Sequence, residues 1–495
     1  MFEIVELGSK LAKRDYEQQL PELRTRLLQL QNELREANIP LLIIVAGVEG
    51  AGKGALVSRL NEWMDARGIQ THALWDESDE ESERPYFWRF WRRLPPRGRI
   101  GIFFGSWYTR MIVDRVFDVI SDVQLQRQVA QVEEIERMLS DDGMLILKFW
   151  LHLSAADQQR AFAKDKASGL KVGSTKKRYA KRYEIFQKIS AHIVRQTDTG
   201  YCPWTLVDAC DRRHRELTVA NAIIRQGQAR LAQVRTQGEQ VSSTPELALA
   251  LPDAVPVTVL DKVDLKKSLD GDAYKKKLAK YQTRLHGLAW EALRQKRSVI
   301  ALFEGWDASG KGSAIRRVST AVDARLCRVI PFAAPTDEEK ARHYLWRFWR
   351  HIPRSGYISL YDRSWYGRVL VERVEGFAGQ DEWRRAYQEI NDFESQLHEH
   401  GIIVMKFWIH IDPEEQLRRF QERERIPWKR YKITAEDYRN RDKWPDYALA
   451  VNDMVAHTST SEVPWTLVPG NSKKYARIEI LKTFCKTLSD VLIEK

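Results

Sequence analysis

Short apolar runs alternate with longer charged segments that carry leucines along this chain. The segments 11–37 and 272–297 place leucines among charged residues, which predicts amphipathic helices. Apolar runs follow them at Leu41–Val45 and Ser298–Phe303, and their length suits buried parallel strands. Two later apolar runs predict further strands: Tyr357–Tyr361 and Ile402–Ile411. The alternation therefore predicts an α/β fold, in which helices cover both faces of a parallel sheet.

The same pattern occurs twice in the chain. Four pairs of motifs recur at an offset of 258 residues: GVEGAGKGA and GWDASGKGS, WRFWR in both halves, GSWY and RSWY, KFWLHL and KFWIHI. A fifth motif, PWTLV, recurs at an offset of 261 residues, which indicates a small insertion in the second copy. Motifs that keep both their order and their spacing indicate an internal duplication of one folding unit.

The repeat predicts two domains. Residues 1–227 form the first copy and residues 261–495 the second, and each is long enough to bury its own core. Residues 228–260 are polar, contain three prolines and show no period, so we interpret them as a linker.

Composition narrows the class of protein and its partners. The chain of 495 residues has a formal net charge of +12, which favours an anionic partner. Its four cysteines show no CxxC spacing, so neither a disulfide framework nor structural zinc is expected. No apolar run approaches the roughly 18 residues that span a bilayer, and the first residues lack the order of a secretory signal. We therefore expect a cytoplasmic protein without a membrane partner.

A glycine-rich loop follows the first predicted strand of each copy. In the second copy, Gly305-x4-Gly310-Lys311 fits the start of the phosphate-binding P-loop, between a strand and a helix. Glycines let backbone N–H groups form an anion-binding nest, and the helix N-terminus favours the same anion. We expect Gly305, Gly310, Gly312 and Ser313 to bind phosphate, with Lys311 neutralising the transferred group. A purely structural glycine turn is the alternative.

The usual hydroxyl residue after the P-loop lysine is replaced by Gly312. A metal bound here must rely on carboxylates, and two are well placed. Asp307 lies inside the loop, and Asp362 ends the strand Tyr357–Tyr361, where a Walker-B aspartate belongs. Two carboxylates beside a phosphate repel it unless a cation lies between them. The sequence therefore predicts Mg²⁺ held by Asp307 and Asp362; for Asp362, a strand-end turn is the alternative.

An arginine-rich segment surrounds Asp362. Its arginines are interleaved with aromatic residues: Arg342, Arg347, Arg350, Arg354, Arg363, Arg368 and Arg373. Guanidinium groups bind phosphate oxygens in bidentate fashion, and a helix carrying them could close over the loop as a lid. Arg363, adjacent to Asp362, is the strongest candidate. The aromatic residues are expected to pack in the core rather than stack on bases, although basic and aromatic interleaving also suits single-stranded nucleic acid.

The first copy lacks several of these groups. At the offset of 258 residues, Phe104 replaces Asp362, Gly105 replaces Arg363 and Glu49 replaces Asp307, whereas Lys53 matches Lys311. Without the metal carboxylate and its neighbouring arginine, the first copy is expected to transfer phosphoryl groups poorly or not at all. It would then have a structural, phosphate-guiding or assembly role.

The motifs of the second copy resemble the polyphosphate kinase 2 family. The resemblance rests on FEGWDASGKG, WRFWR, YDRSWYGR, KFWIHI and HTSTSEVPWTLVPGNSKKYAR, and it extends more loosely to the first copy. Two fused copies resemble the polyphosphate:AMP phosphotransferases of this family, in which the C-terminal half carries the activity. The resemblance implies Mg²⁺-dependent transfer of a terminal phosphoryl group from inorganic polyphosphate to AMP, which gives ADP.

The resemblance also implies residue roles. Asp307 would position the acceptor phosphate and share the metal with Asp362, and Lys311 and Arg363 would bind phosphates. Three further phosphate-binding candidates are Arg347, Arg368 and Lys429. The alternative interpretations are an ATP-dependent nucleotide kinase, a polyphosphate kinase acting on ADP or GDP, and a non-catalytic nucleic-acid-binding protein. We expect no nucleic-acid partner, and a homo-oligomer stays open.

Overall fold

Two parallel sheets with the same strand order organise the chain. The computed structural model describes residues 1–167, 178, 181–241, 258–427, 430, 433 and 435–493. The first sheet has the order β2-β3-β1-β4-β5. Its strands are β1 (Leu41–Gly47), β2 (Ile69–Ala73), β3 (Ile100–Phe104), β4 (Leu145–His152) and β5 (Trp204–Asp208). The central strands are almost continuously apolar because both of their faces are buried.

The second sheet repeats this topology in the order β10-β9-β6-β8-β7. Its strands are β6 (Val299–Gly305), β7 (Cys327–Pro331), β8 (Ile358–Asp362), β9 (Ile403–His410) and β10 (Trp465–Pro469). Phe303 pairs with Asp362 in this sheet, as Val45 pairs with Phe104 in the first. The predicted α/β class, with one parallel sheet flanked by helices in each half, is confirmed.

Helices connect the strands of both sheets. Up to residue 241 they are α1 (Lys13–Glu36), α2 (Lys53–Trp63), α3 (Asp79–Ser82), α4 (Trp88–Trp91), α5 (Trp107–Val116), α6 (Asp122–Asp141), α7 (Ala155–Ala167), α8 (Tyr183–Gln196) and α9 (Arg212–Val241). Beyond residue 257 the first five are α10 (Gly271–Arg294), α11 (Lys311–Ser319), α12 (Asp337–Lys340), α13 (Trp346–Trp349) and α14 (Val371–Val374). The remaining ones are α15 (Gln380–Glu399), α16 (Pro413–Arg425), α17 (Ala435–Asp442), α18 (Trp444–Thr458) and α19 (Lys473–Ile493). Short 3₁₀ helices lie at Phe2–Val5, Ala66–Gly68 and Trp365–Arg368. No helix of the described ranges is both long and apolar enough to cross a bilayer.

The chain divides into two compact units. One unit comprises Met1–Glu77, Arg89–Leu249 and Ala341–His343, and the other comprises Ser78–Trp88, Ala250–Lys340 and Tyr344–Lys495. Helix α9 continues to Val241, past the start of the segment that the sequence assigns to a linker. Residues 242–257 of that segment lie outside the described residues, so the linker stays a prediction.

Each sheet buries a lysine–glutamate pair at the same place. In the second unit, Lys406 Nζ lies 2.7 Å from Glu394 Oε2 and donates to the carbonyl oxygen of Thr458. Trp365 and Tyr366 donate to the other oxygen of Glu394. Lys148 and Glu136 form the corresponding pair in the first unit, at 2.6 Å. The recurring SWY and KFW motifs therefore build the core of each unit, and the prediction that these aromatic residues pack is confirmed.

Candidate functional site

The site lies at the carboxyl end of the second sheet, where α/β proteins place their ligands. The loop after β6 turns through Gly305 (φ 147) and Gly310 (φ 115), in backbone conformations that favour glycine. A Cβ on Gly305 would lie 2.6 Å from the carbonyl oxygen of Ile409, so a side chain cannot be accommodated there. The loop backbone thus passes directly against the end of β9.

Helix α11 begins at Lys311, immediately after the loop. The ammonium group of Lys311 donates to the carbonyl oxygens of Gly305 (2.6 Å) and Trp306 (3.3 Å). A Cβ on Gly312 would meet no other atom within 4 Å. The neighbouring Ser313 hydroxyl donates to the carbonyl oxygen of Gly310. The α11 N-terminus therefore presents backbone N–H groups and a cation to the same space.

A cavity of about 790 Å³ opens over this loop. It brings together seven of the predicted residues: Asp307, Gly310, Lys311, Gly312, Ser313, Asp362 and Arg363. Gly305 lines an adjoining inner pocket, which also contains Asp307, Lys311 and Arg363. The predicted loop, its lysine and the two strand-end residues therefore belong to one site.

Arg363 adopts a strained backbone conformation at the end of β8. Its φ of 67° lies in the left-handed region, and the equivalent residue of the first unit is Gly105, with φ of 83°. An arginine in this region costs free energy that glycine avoids. Among the described residues, Arg363 forms a backbone hydrogen bond to the carbonyl oxygen of Phe303, and its guanidinium has no hydrogen bond or ion pair with protein. Backbone strain of this kind is typical of functional sites, and here it occurs at a charged residue that lines the cavity.

The two carboxylates fit a hard divalent cation. The Asp307 carboxylate accepts a hydrogen bond at 3.1 Å from Asn440, and within the described ranges the Asp362 carboxylate has no hydrogen-bonding partner. No group of three or more His, Cys, Asp or Glu side chains suited to a metal occurs among the residues that the structure describes. Mg²⁺ usually takes one or two protein carboxylates and completes its shell with water and substrate phosphates. The donor set of Asp307 and Asp362 therefore suits Mg²⁺.

Sequence reasoning missed a buried glutamate, Glu304, which lines the inner pocket at the end of β6. The Ser364 hydroxyl donates to its carboxyl oxygen at 2.7 Å. Burial raises the pKa of Glu304, although the nearby Lys311 and Arg363 favour its charged form. The first copy has Ala46 at this position, so the repeat comparison contained a signal for it.

The outer part of the cavity is basic, which sequence reasoning also missed. Four basic residues contribute to it: Arg316, Arg423, Lys473 and Arg477. Seven lysines and arginines line the cavity against five acidic residues. This excess of positive charge suits an extended polyanion.

Tyr274 connects two of the arginines near the loop. Arg317 and Arg477 donate to its hydroxyl at 3.3 and 3.4 Å, and Arg477 also contacts the Ser313 hydroxyl. Burial would raise the pKa of Tyr274, but the hydrogen bonds from the two arginines outweigh it and lower the pKa. In the first copy, Glu216 occupies the position of Arg477.

Comparison with known proteins identifies the family. The family model described as polyphosphate kinase 2 (PPK2) matches residues 10–235 and 268–495. The chain belongs to the polyphosphate kinase 2 family.

Full-length relatives and a solved structure support this assignment. A protein named polyphosphate:AMP phosphotransferase from Pseudomonas aeruginosa is 48% identical over 494 residues, 98% of this chain and 97% of the relative. One of the same name from Pseudomonas syringae pv. tomato is 44% identical over 492 residues, 99% of this chain and 98% of the relative. A crystal structure described as a polyphosphate kinase 2 from Pseudomonas aeruginosa PA01 matches with a TM-score of 0.89 and 46% identity, covering 100% of both chains.

Within this polyphosphate kinase 2 family member, the arginine-rich segment does not form one helix. Strand β8 interrupts it, and its arginines are distributed over short elements. Arg347 donates to the carbonyl oxygen of Ala333 and lies 3.4 Å from Glu339, while Arg368 lies 3.3 Å from Glu372. Neither arginine lines the cavity. Their phosphate binding stays a prediction, and Lys429 lies outside the described residues.

Trp306 of the glycine-rich loop packs in an aromatic cluster. The Trp306 indole stacks on Trp444 at 3.6 Å between ring centroids, and its N–H donates to His410 Nδ1 at 3.0 Å. Because the indole can only donate, His410 must accept through an unprotonated Nδ1. Burial lowers the pKa of His410 to about 4, so the ring is neutral at pH 7.

The corresponding loop of the first repeat is chemically different. Lys53 Nζ lies 2.9 Å from Glu49 Oε1, so a carboxylate already neutralises the lysine. The Phe104 ring lies 3.7 Å from the position that a Cβ on Gly54 would occupy, at the start of α2. Glu216, which replaces Arg477, is 1% exposed and accepts a hydrogen bond from Tyr16. The first repeat therefore pairs its loop lysine with a carboxylate, and it has an apolar ring at the position of Asp362 and a glutamate at the position of Arg477.

Proposed function

We propose that this protein transfers the terminal phosphoryl group of inorganic polyphosphate to AMP, which forms ADP, and that the second repeat performs the reaction with Mg²⁺. One observation carries the proposal. A single cavity combines a glycine-rich loop and Lys311 with two carboxylates and Arg363, whose backbone is strained. These groups match the requirements of phosphoryl transfer, which depends on positioning and charge neutralisation.

The basic outer part of the cavity suits the donor. Arg316, Arg423, Lys473 and Arg477 would hold successive phosphates of the chain, while the loop N–H groups and Lys311 hold the terminal one. Binding of such a polyanion releases counterions, as binding of nucleic acid does, so it should weaken as salt increases. The net charge of +12 is consistent with this class of partner.

The carboxylates account for the metal. Asp307 and Asp362 would hold Mg²⁺, which supplies positive charge to the phosphate oxygens when bound. Arg363, beside Asp362, would neutralise charge on the same phosphates through its guanidinium fork.

The acceptor needs no strong general base. The second pKa of a phosphate monoester is about 6, so the AMP phosphate is largely a dianion near pH 7. One of its oxygens forms a bond to the terminal phosphorus while the bond to the bridging oxygen breaks, and the polyphosphate leaves one unit shorter. The chain has only to bring both anions together and stabilise their charge.

The relatives favour AMP as the acceptor. The two full-length relatives are named polyphosphate:AMP phosphotransferases, and they match almost the whole of this chain. We further propose that the first repeat does not perform the transfer, because Phe104 and Gly105 replace Asp362 and Arg363. A cytoplasmic location is part of the proposal.

The test is the appearance of ADP from AMP, polyphosphate and Mg²⁺, with and without a chelator. We expect the wild-type protein to form ADP and Asp362→Asn to lose at least about 99% of that activity, as removal of a charge-stabilising group typically does. In parallel reactions, ATP replaces polyphosphate as the donor, and ADP or GDP replaces AMP as the acceptor. ADP formation from ATP but not from polyphosphate would make the protein an ATP-dependent kinase, and faster reaction with ADP or GDP would change the acceptor.

A further inference from the structure

A buried arginine braces the glycine-rich loop of the second unit from behind. Arg419 lies on α16 and is 2% exposed. Its Nη1 donates to the carbonyl oxygens of Ala308 (2.9 Å) and Ser309 (2.6 Å) in the loop. Its Nη2 donates to the carbonyl oxygens of Gly470 (2.6 Å) and Asn471 (3.0 Å), just after β10. One guanidinium therefore ties the loop to the end of a strand that is two positions away in the sheet.

The first unit contains a guanidinium with matching contacts, but from another helix. Arg215 Nη1 donates to the carbonyl oxygens of Ala51 (2.8 Å) and Ala209 (3.3 Å). Ala51 is equivalent to Ser309 and Ala209 to Gly470, at the offsets of 258 and 261 residues. The two arginines thus bind equivalent carbonyl groups in the two units.

The arginines themselves are not equivalent in sequence. Arg419 on α16 corresponds to Ala161 on α7, and Arg215 on α9 corresponds to Ala476 on α19. The guanidinium occupies an equivalent place in each unit, although a different helix supplies it. Arg215 reproduces two of the four carbonyl contacts of Arg419 from a different helix, which indicates that the loop needs a cationic brace at this point.

The loop geometry explains the need. When successive backbone N–H groups turn toward an anion, the neighbouring carbonyl groups turn away from it and require donors. A planar guanidinium can satisfy several carbonyl groups at fixed angles, which an ammonium cannot. Glu415 holds the orientation of Arg419 through a contact of 2.6 Å to its Nε.

We propose that Arg419 is a positioning residue that fixes the phosphate-binding loop, and that an arginine supplied from α19 at position 476 can replace it. The kinetic part of this inference rests on the proposed function. Its binding part does not, because an anion can occupy the loop without being transferred.

The experiment compares Arg419→Ala with the double variant Arg419→Ala/Ala476→Arg. Tripolyphosphate binding is measured by calorimetry, and kcat and KM are measured for polyphosphate and for AMP. Displacement of a substrate-positioning group by about 1 Å lowers the rate of an enzyme by about 10–100-fold. We therefore expect kcat/KM for polyphosphate to fall by about 10–100-fold in the single variant. The KM for AMP should stay within about threefold, and the double variant should regain most of the loss.

Two controls separate positioning from folding. Arg419→Lys keeps the charge but not the fork, and it should stay impaired. Ala476→Arg with Arg419 intact should be destabilised, because Ala476 is 5% exposed and two guanidinium groups would compete for one place. If Arg419→Ala does not fold, Arg419→Met retains the apolar stem and takes its place in every comparison.

The outcomes are distinct. Recovery of tripolyphosphate binding in the double variant supports the brace even if the wild-type protein forms no ADP, in which case the proposed function alone fails. A folded double variant that binds tripolyphosphate no better than Arg419→Ala overturns the brace. Wild-type kinetics in Arg419→Ala would overturn it as well.

Discussion

At the scale of single residues, the site stores strain at Arg363. The left-handed backbone there costs about 1–2 kcal/mol for a residue with a Cβ, and glycine avoids most of it. Gly105 has the same conformation in the first unit, and a Cβ on Gly105 would lie 2.3 Å from the carbonyl oxygen of Leu74. The first unit therefore has a glycine at the position where the second has a charged side chain.

This strain predicts that two substitutions of Arg363 differ in their effect on stability. Both Arg363→Gly and Arg363→Ala remove the guanidinium, so both should lose activity. Only glycine relieves the backbone, so Arg363→Gly should be more stable than Arg363→Ala by about 1 kcal/mol in chemical denaturation. Equal stability of the two variants would show that the conformation is not strained, and wild-type activity in either would remove Arg363 from the site.

His410 predicts a loss of stability in acid. Its folded-state pKa is about 4, below its ordinary value, so the unfolded chain binds the additional proton as the pH falls. The contribution of neutral His410 is fully present above about pH 6.5 and decreases by about 3 kcal/mol on approaching pH 4. His410→Gln keeps an acceptor for Trp306 without titrating, so its stability should fall less over this range. The exposed His192→Gln is the matched control, and it should follow the wild-type protein; equal acid sensitivity of all three proteins would contradict the argument.

At the scale of elements, the buried Lys406–Glu394 pair couples β9 to α15. Its side chains are 0% and 2% exposed, and Trp365 and Tyr366 also donate to Glu394. Removal of one partner leaves an uncompensated charge in the core, whereas removal of both charges leaves a neutral, hydrogen-bonded amide.

Lys406→Met should therefore destabilise the second unit by about 3–5 kcal/mol, and Lys406→Met/Glu394→Gln should recover part of that loss. Unfolding of a chain with two units need not be two-state, so the transition must be assigned. The matched substitutions Lys148→Met and Glu136→Gln in the first unit provide that assignment, because they should shift the other transition. A double variant less stable than the single one would contradict the uncompensated-charge argument.

Apolar periodicity predicted the helices and strands well, because whether a segment forms a helix or a strand depends largely on residues close to one another in the sequence. The strand expected at Ser298–Phe303 is Val299–Gly305, and the helix expected over 272–297 is Gly271–Arg294. The strand expected at Tyr357–Tyr361 is Ile358–Asp362, and because it divides the arginine-rich segment, no single helix carries all of these arginines.

The site was predictable only where its residues follow a loop or a strand directly. Asp307, Lys311, Asp362 and Arg363 do so, and the structure places them together. Arg419 and Arg477 reach the loop from helices more than a hundred residues away in the sequence, so spacing gave no indication of them. The repeats contained that information in another form, since Glu216 replaces Arg477 and Ala161 replaces Arg419.

At the scale of the whole molecule, the two repeats share a topology but differ in charge around the loop. Lys311 contacts backbone carbonyl oxygens and faces a cavity with an excess of basic residues. Lys53 has the same backbone contacts, but it is paired with Glu49 at 2.9 Å. The same fold therefore pairs the loop lysine with a carboxylate in the first unit, whereas in the second the lysine contacts backbone carbonyl oxygens beside a basic cavity.

The lysines provide a matched test of which repeat is catalytic. Lys311→Ala removes the cation that we propose neutralises the donor phosphate, so it should reduce ADP formation from polyphosphate and AMP by at least about a hundredfold. Lys53→Ala removes a lysine that a carboxylate already neutralises, so the rate should stay within about twofold of wild type. Both variants are compared with wild type in the same coupled assay, and circular dichroism confirms that each is folded. A large loss in Lys53→Ala with intact folding would mean that the first repeat takes part in the reaction, because a lysine with only a structural role would affect the rate through folding alone.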